Sequence, residues 1–350
     1  MRGVVGGLVG VVMASACARS TPQTAPVLPE AVVGDPGDDP EAVEDVKVTV
    51  LSDDVASEGT LREWGFAAFV EIRTGGKATN ILFDTGASGQ LVQNAAALGV
   101  DLCSAEDVVL SHNHRDHTRG LVSVREHCRS RNPNAVRRAH VGGPEIFWPR
   151  TTPTGVEDNP MGEVRAAYEA VGGTFVTAET VTPLGGLRGV WTSGKIARLH
   201  DEGVHPTAIP LTTPTGERVM DRIPEEHALV VATKQGLVVL TGCAHAGTTN
   251  TLEHVRAATK RPHVHAVVGG LHLFRKPVGT TSEVGTLAWQ ASQLSRMKPH
   301  LLLGAHCTGP ETVAYLRAQL GLAPEDTAIG VIGARLTMAG LVPGVPMPSP

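Results

Sequence analysis

"LSHNHRDHTRGL", residues 110–121, places His112, His114, Asp116 and His117 within six positions. Imidazoles and a carboxylate so crowded are poor core formers, and no local propensity explains the cluster. "DVVLS" (107–111) reads as a short buried strand, and residues from Thr118 to about Cys128 read as a helix. The cluster therefore falls on a strand-to-helix loop, where α/β scaffolds build their sites. Its chemistry points to a metal.

The remaining ligands can be sought at other strand ends. His245 follows "LVVLTG" in "TGCAHAG", His272 follows "HAVVGG" in "GGLHL", and His306 follows "HLLLGA" in "AHCTG". Each lies just past an apolar strand, in a short loop. Strand ends converge on one sheet edge, so these loops can meet. Two divalent metals need roughly six to eight protein ligands with a position left for water. The chain offers His112, His114, Asp116, His117, His245, His272 and His306. Histidines 127, 140, 200, 205, 227, 254, 263, 265 and 300 read as surface or structural.

Short apolar strands alternate with helices from about Val46 onward. Strands dominate the first part and strand–helix units the second. The pattern predicts two packed sheets with helices outside. The threonine run before "LEHVRAAT" predicts a helix opened by a threonine cap. Aromatic residues make up 3% of the chain, so the core must be mostly Val, Leu and Ala. The net charge of −5 argues against a nucleic-acid binder. The basic run 124–140 reads as a solvated helix face and loop.

Residues 1–17 carry a basic start, an apolar stretch too short to span a bilayer, and "ASAC" ending at Cys17. Small residues followed by cysteine resemble a bacterial lipobox, which implies an export signal with Cys17 as a lipid anchor. Plain signal-peptidase cleavage at "ASA" is the alternative. Residues 18–45, rich in Pro, Asp, Ala and Gly, read as a flexible linker. Residues 46–345 read as one folded domain. The expected location is exported, in the periplasm or cell envelope. Of the other cysteines, Cys103 and Cys128 are candidates for pairing, which spacing alone does not establish.

The His-x-His-x-Asp-His motif after a strand, the later strand-end histidines and the preceding "FDTG" (83–86) resemble the metallo-β-lactamase superfamily. "TGCAHAG", "VVGGLHL", "AHCTG" and "TSGKIAR" (192–198) resemble its dihydropterin ribofuranosylaminobenzene phosphate synthase-like subgroup. The resemblance implies an α+β fold, a four-layer αβ/βα sandwich. It implies that His112 and His114 bind one metal with a third histidine, here assigned to His245. Asp116, His117 and His306 would bind a second. Most members carry a bridging aspartate where this chain has Cys243, which reads as an inert thiol behind the ligands or as a sulfur ligand. Asp84 would hold a ligand in place. Asp116 and His272 are the candidate catalytic groups. Lys195 and Arg198 are candidate clamps for a phosphate or carboxylate. The insertion from about 129 to 223 reads as a lid or substrate wall.

The histidine-rich set suits two zinc ions, with manganese or iron as alternatives. The expected function is a dinuclear metal-dependent hydrolase, using a metal-activated water on a small, phosphorylated or anionic substrate. Alternatives are a synthase-like transferase and a non-catalytic metal-binding envelope lipoprotein. The expected partner is a small molecule, with no nucleic acid, and with a membrane only through Cys17.

Overall fold

A computed structural model describes residues 34–202, 209–273 and 284–346. The leader, Cys17, most of the linker and His205 lie outside them. The chain opens with six strands of one sheet: β1 (Asp45–Ser52), β2 (Ala67–Thr74), β3 (Lys77–Phe83), β4 (Ala105–Val109), β5 (Arg138–Val141) and β6 (Thr174–Thr177). It then enters a second sheet through β7 (Thr182–Pro183) and β8 (Val190–Thr192). A small ribbon follows, β9 (Pro210–Thr212) with β10 (Arg218–Met220). The second sheet continues as β11 (Leu229–Thr233), β12 (Gly236–Thr241), β13 (Val264–Gly269), β14 (Leu301–Gly304) and β15 (Thr327–Ile329). β16 (Arg335–Thr337) and β17 (Gly340–Val342) return to the first.

The first sheet runs β17-β16-β1-β2-β3-β4-β5-β6 and the second β15-β14-β13-β12-β11-β8-β7. Each changes from antiparallel to parallel pairing part-way: at β3–β4 in the first and at β12–β13 in the second. The parallel parts need crossovers, which helices supply. These are α1 (Gln90–Ala97), α2 (Arg115–Thr118), α3 (Leu121–Arg129) and α4 (Met161–Ala170) beside the first sheet, and α5 (Thr248–Thr259), α6 (Leu287–Met297) and α7 (Pro310–Leu320) beside the second.

Alternation along the strands builds the layers. Val46, Val48 and Val50 of β1 join Ile81 and Phe83 of β3, Leu229 and Val231 of β11, and Val238 and Leu240 of β12 between the sheets. Leu51, Phe69 and Leu82 face the other way, into α1, α3 and α4. Leu237, Val239 and Val267 face α5, α6 and α7. Three apolar layers thus separate four layers of structure, the αβ/βα sandwich expected. Among the described residues no helix is long and apolar enough to cross a membrane.

Some expectations are corrected. The helix after the histidine motif is interrupted, because Gly120 N–H turns to the Gly86 carbonyl (3.4 Å) between α2 and α3. No threonine side chain caps α5. Its cap position is Gly247, and the buried Glu202 carboxylate accepts from the Thr249 amide (3.2 Å) and from Asn250 N–H. The basic run 124–140 is not wholly solvated. Arg125 is buried and donates to the carbonyls of Pro133 (2.9 Å) and Ala135 (2.7 Å), tying down the loop after α3. The 129–223 insertion is framework rather than a lid, since it supplies β5 to β10 and α4, while its Arg150, Asp158, Ile209 and Asp221 wall the cavity at His114 and Asp116. The candidate pairing of Cys103 with Cys128, by contrast, is met: the two form a disulfide.

His227 is structural, as expected. Its buried ring donates from Nε2 to the Leu110 carbonyl (2.8 Å), linking the approach to β11 with the end of β4. Burial pushes its pKa down to about 4. The unfolded chain therefore binds a proton between about pH 6.5 and 4 that the fold excludes, so stability is full above that window and falls as pH drops through it. Lowering pH from 7 to 5 should cost up to about 2 kcal/mol through this group. Urea unfolding of His227→Gln should show a slope against pH shallower by about one proton. An unchanged slope would contradict this assignment.

Candidate metal centre

Asp84 stands just past β3 in a left-handed conformation (φ 54°), fully buried. Its Oδ1 accepts from the Ser111 amide (2.7 Å), and its Oδ2 from the Ser111 hydroxyl (2.7 Å) and His117 Nδ1 (2.8 Å). Non-glycine residues pay strain at such φ values, and the hydrogen bonds to Asp84 hold it there. Thr85 adds its amide (2.8 Å) and hydroxyl (2.9 Å), both donated to the His117 carbonyl. The "FDTG" turn is thus the bracket that grips the histidine motif. With Nδ1 bound to Asp84, His117 turns Nε2 toward Cys243 Sγ (3.2 Å) and Asp116 Oδ2 (3.9 Å). Burial alone would lower the His117 pKa. Asp84 and Asp116 outweigh it and push the ring up to about 9.

The strand-end loops meet. The His112 ring lies 4.5 Å from His114, 4.3 Å from His117 and 4.7 Å from His245, with His114 and His245 4.8 Å apart. Donor atoms of His112, His114 and His245 all fall within 4.8 Å of one another. His306 Nε2 lies 3.3 Å from Asp116 Oδ2, and its ring 5.2 Å from that of His117. The His272 ring is 4.7 Å from His245. Ala244, His272 and His306 have φ values of 52°, 48° and 49°, so three more loops at this edge carry left-handed non-glycine residues.

The donor chemistry fits divalent metal. His112 gives Nδ1 to Ser111 Oγ (2.9 Å), while among the described residues its buried Nε2 has no hydrogen-bond partner, and neither has His306 Nδ1. Burial holds the pKa of His112 well down and that of His114 at about 3, so both rings keep free lone pairs. Burial would raise Asp116, but His117 and His306 beside it hold it below the usual carboxylate range.

Lys195 and Arg198 are placed differently from an anion clamp. Lys195 Nζ lies between Glu145 (2.7 Å) and Glu179 (2.6 Å). Arg198 donates to the carbonyls of His245 (3.0 Å), Arg222 and Ile223 (3.4 Å). A cavity of about 190 Å³ opens at His114 and Asp116, walled by Arg115, Arg150, Asp158 and Asp221 among others. Arg150 is buried against Asp221 (2.6 Å) and Glu225 (2.9 Å). Arg115, half-exposed, pairs among the described residues only with Asp158 (2.7 Å).

Sequence reasoning missed the groups that hold the other loops. Glu226, buried, accepts from the His245 amide (2.6 Å) and from Ala246 N–H, opposite Arg198 on the His245 carbonyl. Burial pushes its pKa up to about 7. Asp53 Oδ2 accepts from the His306 amide (3.0 Å). Trp64, 57% exposed, places its ring 4.7 Å from His306. The acidic pair before the apolar "HALVVAT" run was the available signal for Glu226.

The sequence profile of the metallo-β-lactamase superfamily matches residues 63–245. The chain belongs to the metallo-β-lactamase superfamily. Proteins of this fold bind divalent metals, typically zinc. The chain is 25% identical over 279 residues to the 7,8-dihydropterin-6-methyl-4-(β-D-ribofuranosyl)-aminobenzene-5'-phosphate synthase of Methanocaldococcus jannaschii, covering 76% of this chain and 89% of that one. It also matches the crystal structure of a metal-dependent hydrolase of the β-lactamase superfamily, with TM-score 0.64 and 26% identity, over 83% of this chain and 98% of the other.

Asp84→Asn leaves one acceptor where Asp84 has two oxygens taking three hydrogen bonds. Zinc affinity should fall about 10- to 100-fold, as for other groups that orient metal ligands. Competition with a chromophoric chelator measures this, with circular dichroism checking the fold. Wild-type affinity in a folded Asp84→Asn protein would contradict the bracket role.

Proposed function

We propose that this protein is a metal-dependent hydrolase of small anionic substrates. The observation that carries the reading is the convergence of His112, His114, Asp116, His117, His245 and His306 beside an open cavity. His112, His114 and His245 would hold one metal, and Asp116, His117 and His306 a second. Bound there, divalent ions supply Lewis acidity and an activated water at neutral pH. Asp116, ionised at the cavity edge, is the group assigned to accept a proton from the attacking nucleophile. His272 is assigned proton transfer on the side of His245. Arg115 offers the accessible cation for a phosphate or carboxylate, in place of Lys195 and Arg198, whose charges are engaged elsewhere. The exposed Trp64 offers an apolar wall.

A synthase reaction is the second reading, favoured by the name of the Methanocaldococcus jannaschii relative. Zinc-loaded protein assayed on phosphoesters, esters and lactones, beside a dihydropterin mixed with a ribofuranosylaminobenzene phosphate, separates the two. Hydrolysis without condensation is the expected result. Arg115→Ala should raise KM for an anionic substrate about tenfold and leave kcat within about twofold, the pattern of a lost uniform binding contact. An unchanged KM would remove Arg115 from the binding role.

We also propose export to an oxidising compartment. The Cys103–Cys128 disulfide supports this, since such bonds persist mainly outside the cytosol. Cys17→Ala should move the protein from the membrane to the soluble fraction. Unchanged fractionation would argue against a lipid anchor.

A further inference from the structure

A cavity of about 540 Å³ opens at the opposite end of β13 and β14 from His272 and His306. That is the size of a small-molecule site, and no residue of its lining belongs to the metal centre. His265, the second residue of β13, lines it and is 6% exposed. Neither of its ring nitrogens has a hydrogen-bond partner among the described residues. Buried polar groups are nearly always paired, so an orphaned ring on a cavity wall points to a ligand. The ring of His300, just before β14, stands 5.8 Å from it.

The lining is rich in acceptors. Burial and the neighbouring His300 push the His265 pKa down to about 4, so at neutral pH the ring is uncharged and keeps a lone pair. The Ser295 hydroxyl donates to the Ala291 carbonyl (2.8 Å), which leaves its oxygen as an acceptor. Asp326 adds a carboxylate. Helices α6 and α7 both end here: their left-handed cap residues, Lys298 (φ 50°) and Gly321 (φ 67°), line the cavity. Helix C-termini carry partial negative charge, so the local field favours a cation. Lys298 is exposed, and a lysine stem can leave its ammonium in water. Leu301, Leu320 and Leu322 supply an apolar wall.

We propose that this cavity is a second binding site, separate from the metal centre, for a small molecule carrying an alkylammonium group. The ammonium donates to His265, Ser295 Oγ and Asp326, and the alkyl part lies on the leucines.

The test is a histidine-ring NMR titration of the zinc-loaded full chain at mildly alkaline pH, with n-butylammonium and, at equal ionic strength, with butyrate. Saturable shifts of the His265 and His300 signals are expected with butylammonium alone. His265→Leu, followed on the His300 signal, should weaken butylammonium binding about tenfold, the loss of one hydrogen bond to a charged group. Asp326→Asn should weaken it similarly, and zinc content should stay unchanged in both variants. Saturation by butyrate, alone or as well, would overturn the cationic class of the ligand. No saturable shift with either probe would overturn the site. Unchanged affinity in both variants would place the amine elsewhere and overturn it too. The wild-type titration and Asp326→Asn decide even if His265→Leu fails to fold.

Discussion

The carboxylate of Asp84 is the constraint on which the rest depends. It takes the Ser111 amide, the Ser111 hydroxyl and His117 Nδ1 in a fully buried position. A buried carboxylate is tolerated only when its oxygens are satisfied, and these three donors satisfy them. In return, the backbone entering the histidine motif has one path, and His117 has one orientation. Gly242, from the second sheet, comes so close that a Cβ would lie 2.0 Å from Ser111 Oγ and 2.9 Å from Asp84 Oδ2. The bracket built on β3 and β4 therefore also sets where the β12 loop, with Cys243 and His245, can sit.

The same device recurs at the other loops. Glu226 holds the His245 amide and Asp53 the His306 amide, each from inside the protein. Arg198 takes the His245 carbonyl, so that loop is gripped from both sides. Burial raises the pKa of Asp53 and Glu226, which means each carboxylate is costly to keep ionised. Short, charge-assisted bonds to backbone amides offset that cost. The gain is rigidity: ligands on three separate loops keep their positions because their backbones, not only their rings, are anchored.

The sandwich and most of the donor set were legible in the sequence for a local reason. Strand-end position is a property of a few consecutive residues, so His112, His114, His245, His272 and His306 could be mapped without knowing the topology. Asp84 was legible because its turn is itself local. The anchors were not. Glu202 reaches Thr249 and Asn250 across nearly fifty positions, so the threonines beside α5 looked like its cap. Arg198 and Lys195 read as anion clamps because an isolated cation gives no hint of its partner. Only the folded chain shows the His245 carbonyl at one and Glu145 and Glu179 at the other. The short strands between residues 174 and 220 carry too few residues for an alternation to show, which made framework look like a lid.

The most direct test of the central claim is anomalous diffraction at the zinc edge from zinc-soaked crystals. The account predicts two peaks in each chain, one among His112, His114 and His245, the other beside Asp116, His117 and His306. A single peak outside these groups, or none at full zinc loading, would contradict it.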